Sequence, residues 1–265
     1  MKINNFVIDR VLRGMMFSTA DGSYMWSINQ ITEPSLNITS ETAEAVDALG
    51  SRIAVFNRGK SAEFSAQNSL FDLGLFAAQN GVDVQEAGSG AGQAISTPMF
   101  EEITIDGSAS YVLSQTPTTA PSTIYKLNGD GTLGTSYEKD DTASATKFVY
   151  NTSAHSITPP TGLSNGDILF VMYDYDLTAG TAVTGDAVNF PKAGKFIMEI
   201  LGADVCDPTT LIHAYLVFPN AKLDANVDLS FTTDGNHPFT IQCQQSYCDT
   251  QKVLYQLIIP EVATS

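Results

Sequence analysis

Residues 44–81 read EAVDALGSRIAVFNRGKSAEFSAQNSLFDLGLFAAQNG. A polar loop surrounds Asp47-Ala48-Leu49-Gly50, a short apolar run covers Ile53 to Phe56, and Arg58-Gly59-Lys60 reads as a basic turn. Ala62, Phe64 and Ala66 then alternate with Ser61, Glu63 and Ser65, the period of a strand with one buried face. A helix follows, with Asn68-Ser69 as caps for its free N–H groups. Its predicted buried face is Leu70, Leu73, Phe76 and Ala77, and it stops at Asn80-Gly81, where glycine accepts the left-handed exit conformation. No other stretch reads convincingly as a helix. A lone amphipathic helix in a β-rich chain needs a sheet to lie on.

The flanking sequence supplies that sheet. Residues 11–19 read as a strand, Asp21-Gly22 as a hairpin turn and residues 23–31 as the return strand, with Tyr24, Trp26 and Ile28 on one face. Pro34 interrupts the pattern before Leu36 and Ile38 resume it. AGSGAG at 87–92 is a flexible connector, and Ile103 and Ile105 alternate in a strand over 100–105. Residues 107–186 are rich in Thr, Ser, Gly and Pro, with strands near 124–127, 147–150 and 167–175. The last of these, DILFVMYDY, is apolar on both faces and is expected to be central and fully covered. Further strands fall at 195–201, 211–218, 227–231, 239–243 and 253–259. Short strands spaced by turns predict a mainly β chain, a sandwich or barrel with one amphipathic helix packed on it. The expected organisation is a single domain over 1–265, with 107–186 as an irregular insertion or subdomain within it.

A chain of 265 residues can bury a sizeable core. With 43% hydrophobic and 16% charged residues it is globular but lightly charged, which suits contact with other subunits. Its 29 acidic and 13 basic residues give a net charge of −16, which repels nucleic acid. Cys206, Cys243 and Cys248 are an odd number without a paired framework, pointing to a reducing compartment at synthesis. Cys243 and Cys248 lack zinc-ribbon spacing, and no second pair exists. Met1-Lys2 leads into Phe6-Val7-Ile8, which Asp9-Arg10 interrupts at once, so no signal peptide is read. No run approaches the ~20 apolar residues of a membrane span. The expectation is a soluble product, without a membrane anchor, made inside a cell.

Reactive signatures fail one by one. Gly162-Leu163-Ser164-Asn165-Gly166 fits G-x-S-x-G, but Pro159-Pro160 precedes it and a strand follows, where a nucleophile elbow needs a helix. Asn128-Gly129-Asp130-Gly131 resembles a calcium loop, yet alignment on Gly131 puts Lys126 and Tyr137 at positions that require carboxylate ligands. It reads as a β-turn. His155, His213 and His237 are widely separated, and His213 beside a strand reads as a packed or interface residue. Cys206 has no basic group nearby in sequence to lower its pKa. AGSGAG does not open a helix, so it makes no phosphate cradle, and the sequons at Asn37 and Asn151 matter only in a secreted chain. No catalytic site, metal site or cofactor is expected. In so acidic a chain, Arg58 and Lys60 either form a solvated turn or pair with an acidic patch on a neighbouring subunit, with Glu44 and Asp47 as candidates for the complementary side.

The loop with Asp and Gly, the RGK turn, the AEFSAQNS strand and the leucine-rich helix together resemble the tail tube proteins of long-tailed bacteriophages. The second half adds GKFIMEI at 194–200, VCDP at 205–208, FPNAKL at 218–223, NVDLSF at 226–231 and the Asp234-Gly235 turn, and the likeness spans about two thirds of the chain. The resemblance implies a virion structural protein, made in the bacterial host cytoplasm, that self-assembles into stacked hexameric rings. These form the hollow tail tube through which DNA is ejected without specific binding. It also implies contacts with sheath, tape measure and baseplate or terminator proteins. Residues 44–60 would then plug into the next ring, with the helix on the outside of the barrel. Two other classes stay open: another virion part, such as a capsid decoration or tail-end protein, which would form closed rings, trimers or monomers; and a β-sandwich carbohydrate-binding module or hydrolase, which would be a monomer with a cleft of aromatics drawn from Tyr173, Tyr175 and Trp26.

Overall fold

A computed structural model of the chain describes residues 5–88, 94–233, 235–245 and 252–260. The chain divides into one unit built from Met1–Val84 with Val183–Ser265 and a second built from Gln85–Ala182. The first unit begins with β1 (Phe6–Ser18), β2 (Tyr24–Ile28), β3 (Ile31–Val46), β4 (Arg52–Asn68) and α1 (Leu73–Asn80). The second contains β5 (Gln85–Glu86), β6 (Ser96–Thr104), β7 (Tyr111–Val112), β8 (Thr123–Leu127), β9 (Leu133–Lys139), β10 (Lys147–Asn151), β11 (Ser156–Thr158), β12 (Ile168–Asp176) and β13 (Thr181–Ala182). The chain then returns to the first unit with β14 (Ala193–Asp204), β15 (Asp207–Leu223), β16 (His237–Cys243) and β17 (Gln256–Ile258).

In the first unit the strands bond in the order β2-β1-β14-β15-β16-β4-β3, with β17 added to β15, and every pair is antiparallel. β2 and β3 lie at opposite ends of that order, yet only Asn29 and Gln30 separate them in the chain. Trp26 and Ile28 of β2 and Ile31 of β3 sit in one core with Met16, Phe64, Phe196, Phe218 and Phe239. A sheet whose first and last strands fill the same core must curl round on itself, and this one is a nearly closed barrel. The mainly β fold with a single short helix, expected from the sequence, is what the described residues adopt.

AEFSAQNS supplies the centre of that core. Phe64 has its ring centroid 5.9 Å from Phe196, 5.8 Å from Phe218 and 6.1 Å from Phe239. These separations lie in the range where aromatic pairs add to simple area burial. Ala62 and Ala66 are buried on either side of it, while Ser61 and Glu63 face outward.

The helix begins later than the sequence suggested. Asp72 is the cap, and its carboxylate accepts from the Leu75 N–H at 2.7 Å. Asn68 cannot start a helix because it still pairs with Ile31 and His237 in the sheet. Leu70 therefore lies ahead of the helix and is 61% exposed, so its expected packing on the barrel is not found. Leu75, Ala77 and Gln79 are the buried positions, and Leu73 and Phe76 are half-buried. A helix of eight residues is too short to persist alone, and a buried histidine helps hold it down. His237 Nδ1 accepts from the Asp72 N–H at 3.3 Å, its Nε2 lies 2.8 Å from Gln79 Oε1, and its ring stacks on Phe71 at 5.2 Å. Gln79 passes the network on, donating to the Pro238 carbonyl at 3.0 Å. Gly81 ends the helix at φ 71° and lies so close to the Phe190 backbone that a Cβ would clash with it.

The second unit has its own sheet, in the order β6-β12-β8-β9-β10-β11-β7, and a two-stranded sheet of β5 and β13. Its core contains Ile103, Ile124, Phe148, Ile157, Leu169, Val171 and Tyr173. Burial pushes the Tyr173 hydroxyl up to about 12, aided by its hydrogen bond to Glu101 at 2.8 Å. The segment 107–186, read as irregular, lies mostly inside this unit, which starts earlier because β6 pairs with β12 along its whole length. β12 is not covered on both faces as expected. Leu169, Val171 and Tyr173 are buried, whereas Met172 and the neighbouring Phe100 on β6 are exposed, with Phe100 stacked on Phe170 at 5.9 Å.

Candidate assembly surface

The β3–β4 hairpin outruns the barrel. Pairing of β16 with β4 ends at Cys243 opposite Ala62, so among the described residues the stretch of β4 from Arg52 to Ser61 is bonded to β3 alone. At 3.2–3.4 Å per residue this ribbon projects roughly 30 Å. Asp47 rigidifies its tip, accepting from the Leu49 N–H at 2.9 Å and the Ser51 N–H at 2.7 Å, while its own N–H donates to the Ser51 carbonyl at 2.9 Å. Glu44 forms a salt bridge with Arg52 across the ribbon.

Arg58-Gly59-Lys60 is not a turn. Lys60 pairs with Ser40 and Arg58 with Glu41, leaving Gly59 as an extra residue in the ladder at φ +47°. Glycine absorbs the positive φ as a bulge and the strand runs on. The two cations therefore fall on opposite faces of the ribbon, and no salt bridge to either is found among the described residues. Of the expected intersubunit residues, Glu44 and Asp47 are engaged within their own hairpin, while Arg58 and Lys60 remain exposed.

The apolar run from Ile53 to Phe56 was read from the sequence, but not its exposure on a projecting ribbon. Val46, Leu49, Ile53, Val55 and Phe56 are all exposed, Leu49 at 92% and Phe56 at 57%. Ala43, Ala45 and Ala54 share the Phe56 face, which leaves it flat. An isolated two-stranded ribbon is marginal in water, and an exposed apolar patch marks a surface that another molecule covers. The alternation of Ile53 and Val55 was the available signal.

Nearer the barrel, the outward face of β3, β4 and β16 presents Asn37, Thr39, Ser61, Glu63, Ser65 and Gln242. These rows are small, polar or acidic, and Lys222 borders them opposite Gln242. Further round, Glu199 is buried between Arg13, whose Nε donates at 2.5 Å, and His213, whose Nδ1 lies at 2.8 Å. Burial pushes the Glu199 carboxyl up, but the bonds from Arg13 and His213 outweigh it and hold it below the ordinary glutamate value.

The other candidate sites are structural. Ser164 lies in the turn before β12, where its N–H donates to Asp167 at 2.9 Å. Asp130 closes the β8–β9 turn by accepting from the Thr132 N–H at 3.0 Å and hydroxyl at 2.6 Å. His155 lies 3.4 Å from the Tyr150 hydroxyl, and among the described residues no cluster of three or more possible metal ligands occurs. Cys206 is exposed between β14 and β15. Burial, with Glu63 nearby, pushes the Cys243 thiol up to about 11, so it is a poor nucleophile. Cys248, Asp234 and most of the AGSGAG connector lie outside the described residues.

At the opposite end of the barrel from the ribbon tip is a cavity of about 400 Å³, lined by Tyr24, Trp26, Ala78, Val84 and Lys192 among others. β1, β15 and β4 all run in one direction, since each is separated from the next by a single antiparallel strand. β4 starts at the ribbon tip, while β1 ends at the cavity wall. No curated protein matches the chain. Residues 6–255 match the family model described as YomU/Tube protein family, so the chain belongs to that phage-derived family of tube proteins, a component of the virion tail.

Proposed function

We propose that this chain is the repeating subunit of a hollow phage tail tube. Copies associate into hexameric rings, the rings stack through the β3–β4 ribbon, and DNA is ejected through the bore. The observation that carries this reading is the ribbon itself, a long two-stranded projection whose Leu49, Ile53, Val55 and Phe56 are left exposed by the described residues. Pairing of strand edges between copies completes hydrogen bonding left open within one subunit.

DNA has to move through a bore without being held. Each phosphate neutralised by Lys or Arg adds salt-dependent affinity, and the polar and acidic rows of Asn37, Thr39, Ser61, Glu63 and Ser65 offer no such contact. The net charge of −16 has the sign this role requires. The protein's work is positioning rather than chemistry, with no catalysis and no cofactor. Sheath, tape measure and baseplate or terminator proteins are the partners that go with this role, and synthesis takes place in the cytoplasm of the host.

Deleting residues 45–59 tests the reading. The deletion leaves residues 41–44 to connect Ser40 with Lys60, which already face each other across the ladder, so the barrel keeps its closure. Rings or monomers without tubes are expected. Normal tubes from the shortened chain would refute the role of the ribbon.

A further inference from the structure

We infer that the cavity between the β1–β2 turn and α1 is the receptor for the ribbon tip of the next copy. This rests on the reading of the ribbon given above and names the surface it meets. The tip and the cavity lie at opposite ends of the same sheet, so two copies stacked in the same orientation bring one against the other. Such a contact is heterologous and never closes, so it propagates as a filament.

The chemistry of the two surfaces matches. The cavity, about 400 Å³, falls within the size range of specific binding clefts. Its apolar walls come from Met25, Trp26, Ala78 and Val84. The tip offers Leu49 as its most exposed apolar side chain, flanked by Val46 and Ile53. Asp47 holds the backbone around Leu49 in one conformation before contact, which lowers the ordering cost of docking.

The test is a covalent trap in the full chain with Cys206, Cys243 and Cys248 replaced by alanine. Leu49→Cys is combined with Ala78→Cys, and in a second variant with Ser23→Cys on the exposed turn. Tubes assembled under reducing conditions are then oxidised and run on a non-reducing gel. A ladder of covalent multimers from either pair is expected, absent from each single-cysteine variant. Tubes that yield no ladder from both pairs overturn the inference. Ala78→Trp, which fills the cavity, should raise the protein concentration needed for tubes at least tenfold while folded subunits persist by circular dichroism. Unchanged assembly of a folded Ala78→Trp variant also overturns it. Loss of tubes on deleting 45–59 beside unaffected cavity variants would sink this inference alone, whereas tubes from the deletion would sink the reading beneath it.

Discussion

Replacing Phe56 by serine probes the ribbon at its exposed aromatic ring. The ring is 57% exposed in the single chain, and a phenylalanine presents roughly 200 Å² when fully buried. Covering the exposed portion in an assembled tube removes about 110 Å² of apolar surface from water, worth about 3 kcal/mol per contact at ~25 cal/mol per Å². At about 1.4 kcal/mol per tenfold change, the serine variant should need roughly 100-fold more protein to form tubes. The fold itself should hardly notice, because a solvent-facing substitution shifts stability by no more than about 0.5 kcal/mol. Pelleting of tubes across a dilution series reads the first quantity, and thermal unfolding of dispersed subunits reads the second. Assembly within about threefold of the unsubstituted chain would refute the argument that this face is covered by another copy.

Other consequences follow from the helix anchor and the two-unit organisation. Gly81→Ala forces a Cβ into the left-handed region and against the Phe190 backbone. The expected loss is about 2–4 kcal/mol from the two effects together, read by denaturant unfolding. Burial pushes the His237 imidazole below its ordinary 6.5, with Asp72 opposing the shift. Protonation therefore favours the unfolded chain, so this contribution is present above about pH 6.5 and is lost as the pH falls. Melting temperature should drop on acidification through that window, with a shallower slope in His237→Gln. Glu199, also held below its ordinary value, loses its contribution only in the lower range where glutamates titrate. Residues 85–182 carry their own sheet and core, so that fragment should fold alone and melt cooperatively; a fragment with no dispersed methyl spectrum would contradict this.

Much of the fold was legible because its signals are local. The alternation from Ser61 to Ala66, the Asp21-Gly22 and Asn128-Gly129-Asp130-Gly131 turns and the glycine exit at Gly81 each depend on neighbours within a few residues. What escaped depends on distant pairing. Asn68, Ser69 and Asp72 are all competent caps, and the bonds of Asn68 to Ile31 and His237 and of the Ser69 N–H to the Gln30 carbonyl hold the first two in the sheet. Arg58-Gly59-Lys60 has turn composition, and its conversion into a bulge is set by Ser40 and Glu41 across the ladder. The start of the second unit was hidden because β6 finds its partner β12 only after most of that unit has been traversed. Both faces of DILFVMYDY are apolar, yet one of them stays exposed among the described residues. Hydropathy records which surfaces avoid water and not which molecule shields them. The same holds for the ribbon, where the apolar run holding Val55 and Phe56 projects from the barrel.

Negative-stain microscopy of the purified, concentrated protein decides whether copies of this chain build a tube. Long hollow tubes of uniform diameter built from stacked rings are expected. Dispersed single subunits at every concentration, or closed rings that never stack, would contradict the proposed function.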